Sequence, residues 1–262
     1  MVGSNLPSAL DAFDEIVPTG SELALFLDYD GTLTPIVDRP ENATLSDSMR
    51  ATLQTLGTRI PIVLVSGRER EEVVALVGLD GPGFVGSHGF DIRGPQGSAL
   101  RHEVGADALP ALDRAEQLLR DETRGVEGAL VERKRFGLAA HYRLASEQGR
   151  ARIEAAVRHA HDEAAGLRLA EGKKVLELRP DIDWDKGRAV LWLLEKLHWE
   201  RRLPIHIGDD LTDETVFTAL RRRGTGILVA DGPEAERETA AQYRLANPDE
   251  VQVFLERIAQ RT

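Results

Sequence analysis

Two aspartates stand two residues apart in the stretch "LFLDYDGTLTPI", which begins at Leu25. On an extended chain residues i and i+2 face the same side, so the carboxyl groups of Asp28 and Asp30 share one small volume. Two like charges about 4 Å apart repel by roughly 4 kcal/mol at an effective dielectric near 20, so the pair requires a cation, a shared proton or abundant water. A second acidic group, "GDDLTDE" (Gly208 to Glu214), brings Asp209, Asp210 and Asp213. Carboxylate oxygens of this kind suit Mg²⁺, which accepts one or two carboxylates beside waters and phosphate oxygens. Ser66, Gly67 and Arg68 of "SGR", with Lys186 of "WDKG", offer hydroxyl, backbone N–H and cationic donors for a phosphoryl group.

Each motif also has a plainer reading. Asp-Gly favours a hairpin turn, "GDD" suits a helix N-cap, and Ser-Gly-Arg or a lysine at a helix start is commonly a loop or a solvated charge. A calcium loop fails on spacing: glycine stands fourth from Asp28 rather than sixth, and Arg39 occupies the twelfth position. "GTGILV" runs into a strand rather than a helix and is no dinucleotide fingerprint, and no G-x-S-x-G elbow is present. His159 and His161, two apart on an expected helix, do not share a face, while His206 inside "PIHI" reads as a packed core residue.

The elements that must position these groups are legible. "LALFL", "IPIVLV", "GFVG" and "PIHI" are short apolar runs that stop at Asp28, Ser66, Ser87-His88 and Gly208-Asp209. They read as buried strands of a parallel sheet, and ligands of open α/β sheets bind outside the carboxyl ends of the strands. Helices are expected from Ser46, Asp185 and Asp213, with another near the C-terminus. Between Phe90 and Asp185 the order changes to a hairpin, two helices and four strand-like runs. The expected architecture is therefore an α/β unit formed by residues 1–105 and 185–262, with an α+β unit inserted at 106–184. On the inserted strands Glu132 and Lys134 share a face, as do Val175, Glu177 and Arg179.

A net charge of −11 argues against general nucleic-acid binding, so an anionic substrate must be held by local cations. The absence of cysteine removes disulfides, thiolate metal sites and cysteine nucleophiles. With no basic-then-apolar leader and no bilayer-length apolar run, the expectation is a soluble, cytoplasmic protein without membrane contact.

The ordered set "DYDGT", "SGR", Lys186 and "GDDLTDE" resembles the haloacid dehalogenase superfamily of aspartate-nucleophile phosphatases. "GSHG", "VERK", "HYR", "KKVLELRP" and "PDEVQVFL" extend the similarity to its trehalose-6-phosphate phosphatases. The resemblance implies a Rossmann-like core with an inserted α+β cap of the C2 type. It also implies a Mg²⁺-dependent hydrolysis of trehalose 6-phosphate to trehalose and phosphate, the last step of trehalose biosynthesis. Asp28 would be the nucleophile and Asp30 the acid and base. Mg²⁺ would be held by Asp28, the Asp30 carbonyl and Asp209, with Asp210 and Asp213 in support. Gly31, Thr32, Ser66, Gly67, Arg68 and Lys186 would cradle the phosphoryl group; His88, Glu132, Lys134 and Glu177 would meet the sugar, the cap serving as a lid. The implied functional partner is a trehalose-6-phosphate synthase. Action on another sugar phosphate, transfer to a second hydroxyl, and binding without turnover remain the alternatives.

Overall fold

The structure is a computed structural model that describes residues 6–37, 39–172 and 174–262. The chain forms two compact units, Met1–His102 with Trp184–Thr262, and Glu103–Asp183. Both boundaries fall slightly before those expected from the sequence. The reason is aromatic packing: the His102 ring stacks on Trp192 at 4.4 Å and meets Trp184 edge-on at 5.9 Å, so both crossing points belong to the larger unit. Trp184 is fixed further by its indole N–H, which donates to the Gly89 carbonyl at 2.7 Å.

In chain order the strands are β1 (Leu23–Leu27), β2 (Ile62–Val65), β3 (Gly83–Gly86), β4 (Asp91–Arg93), β5 (Arg101–Glu103), β6 (Leu130–Lys134), β7 (Gly137–His141), β8 (Leu167–Gly172), β9 (Val175–Pro180), β10 (Leu203–Gly208), β11 (Thr225–Val229) and β12 (Tyr243–Leu245). The helices are α1 (Phe13–Ile16), α2 (Asp47–Gly57), α3 (Arg70–Val77), α4 (Leu109–Glu122), α5 (Glu147–Glu163), α6 (Lys186–Lys196), α7 (Glu214–Leu220) and α8 (Pro248–Arg261).

The larger unit is built on an eight-stranded sheet ordered β12-β11-β10-β1-β2-β3-β4-β5. It is parallel from β12 to β3 and turns antiparallel at β4. β1 lies between β2 and β10 and every one of its residues is buried, which explains its unbroken apolar run. Alternation divides its side chains between two layers. Leu23, Leu25 and Leu27 face a cluster that includes Met49 and Leu53 of α2 and Phe254 and Leu255 of α8. Ala24 and Phe26 face Val190 and Leu193 of α6 and Val216 of α7. The second layer matters for chemistry, because α6 and α7 begin at the same sheet edge where β1 and β10 end.

The smaller unit is a four-stranded antiparallel sheet, β6-β7-β9-β8, with its own core. Leu138, Ala140, Leu176 and Leu178 bury one face against Leu112 and Leu119 of α4 and Ile153 and Val157 of α5. The opposite face is lined by Glu132, Ala139, Glu177 and Ala170, which stand in one lateral row by register.

Candidate active site

Asp28 directly follows β1, and its amide continues the ladder by donating to Ile207 O at 2.9 Å. Its side chain is buried, and so is that of Lys186, the first residue of α6. The helix starts there because Asp185 caps it, accepting from the Arg188 amide at 2.8 Å. Lys186 Nζ donates to Asp28 Oδ1 and to Asp213 Oδ1, each at 2.8 Å. Burial works against the ammonium, yet Asp213 and Asp28 hold it above the ordinary lysine range. Burial likewise pushes the Asp28 carboxyl well above the usual carboxylate range, against the pull of Lys186.

Asp209 follows β10. Burial, with like charge from Asp213 and Asp210, pushes its carboxyl up to about 7. Oxygens of Asp28, Asp209 and Asp213 lie within 4.8 Å of one another, a spacing suited to a metal ion. Of the three, Asp213 is already engaged: Oδ1 accepts from Lys186 and Oδ2 from the Asp210 amide at 3.1 Å. Although its burial opposes ionisation, Lys186 and His206 keep Asp213 below the ordinary carboxylate range. Asp28 and Asp209 are thus the side chains suited to hold a cation. Asp210 is exposed and serves the turn, its side chain accepting from the Leu211 amide at 2.6 Å.

Two further features fit an oxygen-coordinated ion and an anionic ligand. Gly31 has φ +76°, and a Cβ there would overlap the Asp209 carboxylate, so only glycine lets that side chain close over the loop. Thr32 is buried, and among the described residues its Oγ1 has no hydrogen-bond partner. A hydroxyl left so is costly unless a ligand accepts from it.

Ser66 directly follows β2, is buried, and its Oγ accepts from the Arg68 amide at 3.1 Å. The Arg68 side chain departs from the phosphate role expected of it. Its guanidinium grips Asp30 in a two-point fork, Nε to Oδ2 and Nη2 to Oδ1, both at 2.7 Å. It also pairs with Glu72 and donates to Pro40 O. The planar fork matches a carboxylate, which explains why the acid and not the strand end attracts it. The His88 ring lies over Gly67, where a Cβ would overlap the imidazole. Ser87 and His88 take φ values of 50° and 57°, a strained turn at the end of β3.

On the smaller unit, Glu132 accepts from His141 Nε2 at 2.9 Å and lies 3.9 Å from Lys134 Nζ. Glu177 is held by Arg179 Nε at 2.7 Å. These oriented acids flank Ala139, which pairs with both and leaves the row low between them.

Two residues outside the expected site also belong with this machinery. Glu214 gathers Thr239 Oγ1 and the Ala240 amide, each at 2.8 Å, and Arg237 Nη2 at 3.2 Å, tying the loop after β11 to the acidic turn. His206 is buried as expected, but it bonds directly to Asp213 at 3.1 Å. Its position three residues before Asp209 was the available signal.

The trehalose-phosphatase family profile matches residues 26–249, a span that contains Asp28, Asp30, Ser66, Lys186, Asp209 and Asp213. The chain belongs to the trehalose-phosphatase family. A trehalose-phosphate phosphatase of Mycobacterium marinum is 42% identical over 98% of the chain, which spans 66% of that protein. An uncharacterized glycosyl hydrolase of Mycobacterium tuberculosis is 43% identical, but the chain spans only 20% of its length. Among solved structures, the C-terminal domain of C. albicans trehalose-6-phosphate phosphatase superposes with a TM-score of 0.75 at 26% identity, covering 98% of this chain and 99% of that one. The shared fold is that of the haloacid dehalogenase phosphatases.

Proposed function

We propose that the chain is a Mg²⁺-dependent phosphomonoesterase that hydrolyses trehalose 6-phosphate to trehalose and phosphate. The observation that carries this reading is Lys186 Nζ bridging Asp28 and Asp213 at 2.8 Å, with Asp209 alongside, at the carboxyl end of a parallel sheet. Lys186 occupies Oδ1 of Asp28 and leaves Oδ2 as the attacking oxygen. A bond forms from Oδ2 to phosphorus as the bond from phosphorus to the sugar oxygen breaks, giving an aspartyl phosphate. Asp30 supplies the proton that the departing sugar oxygen takes, which requires one of its oxygens to leave the Arg68 fork. In the second step Asp30 accepts a proton from water, whose oxygen attacks phosphorus and frees Asp28. Lys186, Ser66 Oγ and Thr32 Oγ1 are the donors for the phosphoryl oxygens. Mg²⁺, held by Asp28, Asp209 and the Asp30 carbonyl, would neutralise the carboxylates and the developing phosphoryl charge.

Glu132, Lys134 and Glu177 supply sugar recognition. Ion pairing orients both acids, and oriented acceptors discriminate sharply among hydroxyl patterns, because a ligand that fails to pair them leaves polar groups unsatisfied. His88 stands beside the phosphate loop as a contact for the ester. The test is phosphate release from trehalose 6-phosphate, glucose 6-phosphate, sucrose 6-phosphate and an aryl phosphate, with Mg²⁺ and with chelator. Preference for the trehalose ester, lost on chelation, is expected; metal-independent turnover would refute the core chemistry.

A further inference from the structure

His206 is fully buried in the middle of β10, yet both of its ring nitrogens face acceptors. Nδ1 lies 3.0 Å from the Phe26 carbonyl oxygen and Nε2 lies 3.1 Å from Asp213 Oδ1. A neutral imidazole carries one N–H and can satisfy only one of these contacts; making both requires a proton on each nitrogen. Packing explains why the ring does not turn away. Phe217 lies against it at 5.4 Å, and the register sets His206 opposite Phe26 of β1, two residues before Asp28.

We propose that His206 is a positioning residue of this active centre. Donating from both ring nitrogens, it ties Asp213 to β1, and Asp213 in turn fixes Lys186 against Asp28. The role in turnover rests on the phosphatase reading above. Without the imidazole, Asp213 Oδ1 keeps only the mobile end of a lysine, and the carboxylate is pinned on one side alone, at Oδ2. Lys186 then loses the fixed partner that aims its ammonium, while the phosphate-binding hydroxyls and the sugar-recognition acids are untouched. The consequence falls on kcat rather than KM.

Two measurements test this. The first is ¹⁵N spectroscopy of histidine-labelled protein near neutral pH: among the seven histidines, one ring should carry protons on both nitrogens with slow solvent exchange, and that signal should vanish in His206→Phe. A singly protonated His206 ring would overturn the proposal. The second is steady-state phosphate release. His206→Phe keeps the ring packing and removes both donors, so kcat should fall about 10- to 100-fold with KM changed less than about twofold, as when an orienting partner is lost. His206→Gln, which can restore one donor, should recover part of the loss. Wild-type kcat in a folded His206→Phe protein would refute the positioning role. If the variants fail to fold, the proton count on the native protein still decides. Should the native protein release phosphate from no ester, the phosphatase reading fails and the turnover role with it, whereas the proton count would still report the double donation.

Discussion

At the scale of single residues the site is a set of competing claims on oxygen atoms. Lys186 takes one oxygen of Asp28 and leaves the other free for the attack proposed above. Asp28→Asn should abolish turnover, by at least about 10³-fold in kcat, with far-ultraviolet circular dichroism unchanged. Asp30→Asn should slow the sugar ester by about 10²- to 10⁴-fold and an aryl phosphate much less, because a phenolate leaves without a proton. A comparable loss on both esters would contradict the acid role. Asp209 gives a pH prediction with a definite sign. Burial raises its carboxyl to about 7, so above that pH the acid is already ionised, while below it a cation must displace a proton. Apparent Mg²⁺ affinity, read by calorimetry, should fall about tenfold for each pH unit below 7 and level off above it. An affinity flat between pH 5 and 8 would show that Asp209 is no ligand.

At the scale of elements, the sequence was most legible where one period dominated. The run Leu23 to Leu27 has no polar interruption because both faces of β1 are covered, and the helices at Ser46 and Asp185 declared themselves through their caps. Ser46 Oγ accepts from the Met49 amide at 3.1 Å; Ser46→Ala should lower stability by about 1 kcal/mol in chemical unfolding, with activity retained. The strand pairs of the smaller unit were also readable, including the shared face of Glu132 and Lys134. What could not be read was which donor meets which acceptor across the sheet. Arg68 reaches Asp30 across 38 positions and His206 reaches Phe26 across 180, and no local pattern reports such distances. From local pattern alone, therefore, Arg68 reads as a phosphate donor and His206 as core filling. The row of Glu132, Ala139 and Glu177 carries the element-scale functional prediction: Glu177→Gln should raise KM for trehalose 6-phosphate at least tenfold and leave aryl phosphate turnover unchanged. Equal effects on both substrates would place Glu177 outside sugar recognition.

At the scale of the whole molecule, two cores divide the chain, one of them confined to an inserted segment of the sequence. The proposed anionic ester would meet positive charge locally despite a net charge of −11: Lys186 is buried at the strand ends, and the first turn of α6 presents its positive dipole beside Asp28. No helix of the described residues is long and apolar enough to cross a membrane. The three tryptophans, Trp184, Trp192 and Trp199, all lie in or beside α6, within the larger unit. Indole emission is consequently a built-in optical probe placed in that unit. Trp184 stands two positions before Lys186, so a change in emission on adding phosphate would report events near Lys186 without any dye attached.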